Sequence, residues 1–396
     1  MSVNENVKTS GNHKKRILTL VPYYEPGYKA GGLITTVRNS IEHLGDEFDF
    51  LIVTSDRDLG DSVPYDLPLD QWISGAPKRY YISGKQVWRL IRILRKTKYD
   101  IFYANSYFSF RFSIVPFLWF RLTGTVGKTI IVAPRGELSK GALSIKSSKK
   151  KVFISFAKLF RIYKHVIWHA SSKEEQNDIT RVFGPQTIVR LASDFPSTAE
   201  SSVNYKNKKN GQLNIVFLAR ITRMKNLHFA LSTLKNIQGE VNFDIYGHIE
   251  DLVYWDECQK QINALPANVS VHYKGVIKHS EVKKCLAHYE LFYLPTLGEG
   301  FGHSIFEALQ SGCPVLLSDR TPWNDVATSG GGVVLPLERP DDFAHSLQRY
   351  VDISAEEYNH VALQALAYSV EYIKNSQLNQ THQALFDSDM RHRCES

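Results

Sequence analysis

LFYLPTLGEGFGHSIFEALQSGCPVLLS, residues 291–318, reads as an apolar run, a glycine-spaced loop, a helix and a second apolar run. Leu291 to Leu294 has the composition of a buried strand, which Pro295 ends. Gly298, Gly300 and Gly302 lack a Cβ and let the backbone come close to another group. Ser304 stands at an expected helix N-cap with Glu307 at the capping-box spacing, and Gly312 with Pro314 marks the helix end. A strand feeding a glycine loop and a helix N-terminus offers unpaired N–H groups and the positive end of a helix dipole, the chemistry of a phosphate site. Glu299 and Glu307 flank it and can accept hydrogen bonds from sugar hydroxyls, which suits a nucleotide-sugar. The alternative is a capped turn with no ligand.

The same order of strand, glycine loop and helix occurs near the start of the chain. ILTLVPYY from Ile17 is followed by Gly27, Gly31 and Gly32. Leu33 to Leu44 then keeps a helical period through Leu33, Ile34, Val37, Ile41 and Leu44. Strand patterns at 48–54, 99–104, 129–133, 166–170 and 188–191 alternate with helical stretches, which predicts a parallel sheet wound by right-handed crossovers. Residues 197–212 are rich in Ser, Asn and Lys without apolar periodicity and read as a linker, after which the alternation restarts at Asn214. The expected architecture is α/β, with two doubly wound Rossmann-like domains, 16–196 and 213–357, and a cleft between them. A disordered N-terminus (1–15) precedes them, and helices in 358–396 pack back across both.

Arg220 and Lys225 lie between a strand and a helix, where they could clamp a diphosphate or be solvated loop charges. Arg135 and Glu137 follow the strand at 129–133, and open parallel sheets bind ligands at such carboxyl ends. A surface ion pair is the alternative there. His169, at another strand end, is a structural or an acceptor-side histidine. Cys258, Cys285, Cys313 and Cys394 have no metal-ligand spacing.

The 396 residues, 43% hydrophobic, suffice for two cores. The first dozen residues are polar, and the apolar run 112–120 is too short to span a bilayer, so a cytoplasmic or peripheral location is expected. The net charge of +8 favours nucleic acid, anionic lipid or phosphorylated substrates. On a helical wheel of 149–164, Lys150, Lys151, Lys158, Arg161 and Lys164 share one arc, opposite Val152, Phe153, Phe156, Leu159, Phe160 and Tyr163. Such a helix either buries its apolar face in the core or lies on an anionic membrane at the inner face of the cell. No helix-turn-helix, zinc or stacking pattern supports nucleic-acid binding.

The two halves, Arg220 with Lys225, and Glu299 separated by seven residues from Glu307 together resemble the retaining family-4 glycosyltransferases of GT-B fold. EGFGHSIFEALQSGCPV is the most specific part. PRGEL at Pro134 and TPW at Thr321 are similar to the subgroup that builds bacterial capsule, exopolysaccharide and O-antigen chains. The resemblance implies transfer of a hexose-type sugar, with retention and without metal or cofactor, from a UDP- or GDP-linked donor to a lipid-linked or free saccharide. It further implies that Arg220 and Lys225 bind the diphosphate, Glu299 the transferred sugar and Glu307 the ribose. Gly300, Phe301, Gly302, His303 and Ser304 would face sugar and phosphates, Gly31 and Gly32 would close on them, and Gly275 with Val276 would seat the base. Arg135 stands near where relatives place a histidine, so an acceptor or phosphate contact is expected of it, with Glu137 and His169 beside it. Ala192-Ser193-Asp194 replaces the Asn-Gly pair usual at the end of the last N-domain strand. A non-catalytic nucleotide-sugar sensor on the same fold is the other reading.

Overall fold

The computed structural model describes residues 14–84, 86–124, 128–144, 147–197 and 207–387. Most of the expected disordered N-terminus, the linker residues 198–206, the end of the C-terminal segment and Cys394 lie outside the described residues.

In the N-terminal half the strands are β1 (Lys15–Leu20), β2 (Phe48–Ser55), β3 (Trp72–Ile73), β4 (Lys78–Ile82), β5 (Ile101–Ala104), β6 (Thr129–Val132), β7 (Ile167–Ala170) and β8 (Val189–Leu191). They form one sheet in the order β3-β4-β2-β1-β5-β6-β7-β8, parallel except for β3 against β4. Its helices are α1 (Gly32–Leu44), α2 (Val87–Lys96), α3 (Val115–Thr123), α4 (Lys140–Ser144), α5 (Ser147–Leu159) and α6 (Lys173–Phe183). Both faces of the sheet are covered, which explains the near-continuous apolar strands. On β5 the two-residue alternation sends Phe102 and Ala104 to one apolar cluster and Ile101 and Tyr103 to the other.

The second half has β9 (Gln212–Leu218), β10 (Glu240–Tyr246), β11 (Val269–Gly275), β12 (Leu291–Leu294), β13 (Val315–Ser318) and β14 (Gly332–Leu335), in the order β11-β10-β9-β12-β13-β14, all parallel. Around them lie α7 (Leu227–Ser232), α8 (Leu252–Ile262), α9 (His279–Leu286), α10 (His303–Gln310), α11 (Pro340–Asp352), α12 (Ala355–Asn375) and α13 (Leu378–Asp387). α12 packs on α10, with Tyr372 against Phe306 at 5.3 Å, and α13 carries Phe386 back to Phe48 and Phe50 of the first domain. The result is two Rossmann-like domains joined by a cleft.

In each sheet the strand order reverses beside the strand that opens the domain, between β1 and β5 and between β9 and β12. Ligands of doubly wound sheets bind at such switch points, beyond the carboxyl ends. The loops that leave β1, β9 and β12 there contain Gly31, Arg220 and the glycine loop at 298–302.

Two local expectations are corrected. α10 starts at His303, because Gly302 at φ +82° serves as its N-cap. Ser304 therefore sits inside the first turn, and Glu307 turns to His279 instead of closing a capping box. α5 ends at Leu159, and Arg161 takes φ +50°, so residues 150–164 do not form one wheel. Ile154, Ala157, Ile162 and Tyr163 are the buried members of this segment, whereas Val152, Phe156, Leu159 and Phe160 are exposed.

Candidate active site

The carboxyl ends of the two sheets face a common cavity of about 1870 Å³, lined by residues of both domains. That is more than the ~300–1,000 Å³ of an ordinary ligand pocket and leaves room for two substrates.

α1 and α10 both open on this cavity. Their N-caps, Gly31 at φ +60° and Gly302 at φ +82°, carry no side chain to satisfy the first N–H groups, and neither first turn holds an acidic residue. Two uncapped helix N-termini therefore point unpaired donors and positive dipole ends at one space, an arrangement suited to an anion. The glycines between them also bring the domains together. A Cβ on Gly300 would lie 3.6 Å from Ser171 Oγ and 3.7 Å from Gly136 N, and one on Gly141 would lie 2.7 Å from the Leu297 carbonyl oxygen. Behind the loop, the Trp323 indole N–H donates to the Phe301 carbonyl and its ring packs on the Phe301 ring at 5.0 Å, fixing the course of the chain. Thr321 and Trp323 are thus buried support for the loop.

The cations come from the end of β9. Lys225 closes a short turn of 3₁₀ helix, Arg223–Lys225, and pairs with Glu299 across the cavity wall, both side chains being more than four-fifths buried. Arg220 pairs with Glu250 at 2.5 Å at the solvent edge. Glu307 lines the cavity and pairs through Oε1 with His279 Nε2 at 2.8 Å. Val276 lines the cavity; Gly275, at φ +77°, ends β11 outside its lining.

A buried polar network ties the domains beneath this site. Thr36 Oγ1 of α1 donates to Asp194 Oδ2 at 2.9 Å and lies 2.7 Å from His303 Nε2 of α10. The other Asp194 oxygen accepts from Arg135 at 2.5 Å, and the guanidinium also donates to Asn105 Oδ1 and to the Tyr103 hydroxyl. Burial acts to raise the pKa of Asp194, but Arg135 and His303 outweigh it and hold the carboxyl below its ordinary value. Burial likewise opposes the charge on Arg135, and Asp194 together with Tyr103 and Glu175 more than offsets it. For His303 burial wins, and its pKa falls in spite of Asp194.

Of the expected acceptor-side residues, Arg135 lines the cavity as part of this network rather than as an exposed ion pair. Glu137 also lines it, but its carboxylate accepts from Ser106 Oγ and from the backbone N–H of Tyr107 and Phe108, so it braces the loop after β5. Burial pushes its pKa up. His169 is fully buried between the Tyr103 hydroxyl and the Ala192 carbonyl, each at 2.7 Å, and lies outside the cavity lining. Burial holds its pKa well below that of a free histidine. Thr36, Asn105 and His279 were not singled out from sequence, and Asp194 only as the residue standing where an Asn-Gly pair is usual. Among the described residues, no three His, Cys, Asp or Glu side chains group as metal ligands.

Residues 199–365 match the family model of glycosyl transferases group 1. A 2-deoxystreptamine N-acetyl-D-glucosaminyltransferase of Niallia circulans is 29% identical over 133 residues, 33% of each chain. The GtfA subunit of a UDP-N-acetylglucosamine–peptide N-acetylglucosaminyltransferase of Streptococcus parasanguinis is 28% identical over 150 residues, 37% of this chain and 28% of that protein. The matches thus span about a third of the curated relatives. Among solved structures, Anabaena HepE in complex with UDP and glucose superposes with a TM-score of 0.67 at 14% identity, covering 94% of this chain and 98% of that one. WaaG, a glycosyltransferase involved in lipopolysaccharide biosynthesis, gives 0.62 at 12% identity, with 94% and 100% covered. The chain therefore has the two-domain GT-B fold, and its C-terminal domain carries the sequence pattern of the group 1 glycosyl transferases.

Proposed function

We infer that the protein transfers a hexose-type sugar from a UDP- or GDP-linked donor to a saccharide acceptor bound in the cleft. The observation that carries this is the pair of uncapped helix N-termini opening on one cavity beside Lys225 and Arg220. The donor diphosphate lies between these charges, Glu299 accepts from hydroxyls of the sugar, and Glu307 accepts from the ribose. The acceptor comes from the N-terminal side, past Arg135. Its hydroxyl oxygen bonds to the anomeric carbon as the bond from that carbon to the diphosphate oxygen breaks. The electron pair leaves with the diphosphate, and the acceptor proton passes to the departing phosphate oxygen. Lys225, Arg220 and the helix dipoles stabilise the growing negative charge without a metal or cofactor. Attack from the face of the leaving group retains configuration and needs no carboxylates on opposite sides of the sugar. UDP and glucose in HepE and the part of WaaG in lipopolysaccharide biosynthesis are consistent with a UDP-linked hexose and a bacterial surface saccharide; the lipid-linked acceptor and the place in capsule, exopolysaccharide or O-antigen synthesis are part of the same proposal and rest on the PRGEL and TPW resemblance.

The test is a thermal-shift panel of UDP, GDP and their sugars, followed by product analysis with lipid-linked and free oligosaccharides. A nucleotide at a hundredfold excess over its Kd raises stability by ~2.7 kcal/mol, and Lys225→Ala lowers both the shift and transfer, the latter about 100-fold or more. A nucleotide shift without transfer to any acceptor would identify a sensor; no shift with any nucleotide would remove the donor site.

A further inference from the structure

We propose that α5, with the adjoining end of α3, is a docking face for an anionic lipid bilayer. Val152, Phe156, Leu159 and Phe160 follow the i, i+4, i+7, i+8 spacing of one helical stripe. In a folded domain such a stripe belongs in the core, yet here these side chains are 70%, 44%, 78% and 52% exposed. The core side of α5 is supplied instead by Ile154 and Ala157. The Phe156 and Phe160 rings pack on each other at 4.4 Å, and Arg121 Nε donates to the Phe160 carbonyl at 3.3 Å, which brings in the neighbouring Leu122, 84% exposed. Leu122, Val152, Phe156, Leu159 and Phe160 thus form an apolar ridge uncovered among the described residues.

Charge decides what covers it. From Gln86 to His165 the sequence has seventeen Lys and Arg against two Asp and Glu, a net +15, while the rest of the chain carries −7 of the total +8. The two acids are used elsewhere, Asp100 at the Arg16 backbone and Glu137 at the loop after β5. Exposed Lys149, Lys151 and Lys158 on α5, Arg121 on α3 and Arg161 just beyond α5 accompany the ridge; α2 adds exposed Arg92 beside exposed Trp88, while its Arg89 is paired with Asp70. Apolar side chains among cations, with no acidic residue on α5, match the boundary between acyl chains and anionic headgroups. A second copy of this chain would set like charges against each other.

The face also adjoins the cleft. Lys150 lines the cavity and donates to the Ala142 carbonyl of α4 at 2.6 Å, so α5 runs about 14 Å from the cavity edge to Leu159. A bilayer on the ridge presents its surface beside the acceptor side of the cavity.

Flotation of the full chain with vesicles of phosphatidylcholine, with and without phosphatidylglycerol, tests this without any donor or acceptor, so its failure leaves the transferase reading in place. The expected result is binding that requires phosphatidylglycerol and weakens with salt. Phe156→Ser/Leu159→Ser and Lys149→Glu/Lys151→Glu/Arg161→Glu should each lower it about tenfold or more, with Tm unchanged because these side chains are at the surface. No flotation with either vesicle, flotation insensitive to both variants, or a concentration-dependent dimer that the serine variant abolishes would each overturn the proposal.

Discussion

Replacing Asp194 by alanine removes the acceptor at the centre of the interdomain network and leaves a guanidinium in a site where the two partners are only 10% and 5% exposed. Breaking a buried ion pair from one side costs about 3–5 kcal/mol, because the remaining charge has neither water nor counter-charge. Arg135 keeps its bonds to Asn105 at 2.7 Å and Tyr103 at 2.5 Å, so the lower end, about 3 kcal/mol, applies. For a domain of this size each kcal/mol moves Tm by about 2–4 °C, giving a fall of about 6–12 °C. The assay is calorimetry on the wild type, Asp194→Ala, Arg135→Met and the double variant Arg135→Met/Asp194→Leu. The double variant should recover most of the loss, since an apolar pair of similar volume strands no charge, and it should still fail in transfer because the cavity loses Arg135. The pH dependence has a definite sign. The Asp194 carboxyl is held below its unfolded value, so the contribution is fully present above about pH 4 and is lost only as pH falls through the lower folded pKa. The gap between wild type and Asp194→Ala should therefore be equal at neutral and mildly acid pH. An Asp194→Ala shift under about 2 °C, or a double variant as unstable as the sum of the singles, would refute the idea of a stranded charge.

His382 gives a response of the same sign in a higher pH window. Its Nδ1 faces the Leu378 carbonyl at 3.0 Å while Nε2 is buried with no hydrogen-bond partner among the described residues, and burial pushes its pKa down to about 4. The unfolded chain takes up a proton that the folded one refuses, so stability should fall by about 2 kcal/mol between about pH 7.5 and 5, and His382→Phe should flatten that part of a Tm–pH curve. Lys225→Ala and Glu299→Ala should each reduce transfer by about 100-fold or more while the chain still folds, checked by circular dichroism; transfer at the wild-type rate in both would sink the donor assignment. Gly302→Ala puts a Cβ 2.8 Å from Ile305 Cδ1 at φ +82°, so it should cost about 1–2 kcal/mol and weaken nucleotide binding measured by calorimetric titration.

The alternation of apolar strands with helices was enough to predict both domains, because strands covered on both faces leave an unmistakable run of Val, Ile, Leu and Phe. The strand, glycine loop and helix at 291–310 were also legible, but the helix start was not: Ser304 reads as an N-cap from sequence, whereas Gly302, at a φ that other residues avoid, takes that place. The short β3–β4 pair was missed: Trp72–Ile73 is two residues long and its apolar signal is no longer than the turn beside it. α5 misled because a wheel shows an apolar arc without showing which arc the sheet takes, and Arg161 breaks the helix with no glycine or proline to announce it. The Thr36–Asp194–His303 contact joins residues 158 and 267 positions apart, and no local pattern carries such a pairing.

The chain passes from the first domain to the second after Ser197 and returns between α12 and α13. α10 contacts the described end of each passage: Gln310 Nε2 donates to the Ser197 carbonyl at 3.3 Å, and Tyr372 of α12 packs on Phe306. A door hung on two neighbouring pins swings about the line through them. The same helix offers its N-terminus to the cavity and its flank to both pins, so it stands near the axle, where a rotation displaces it least.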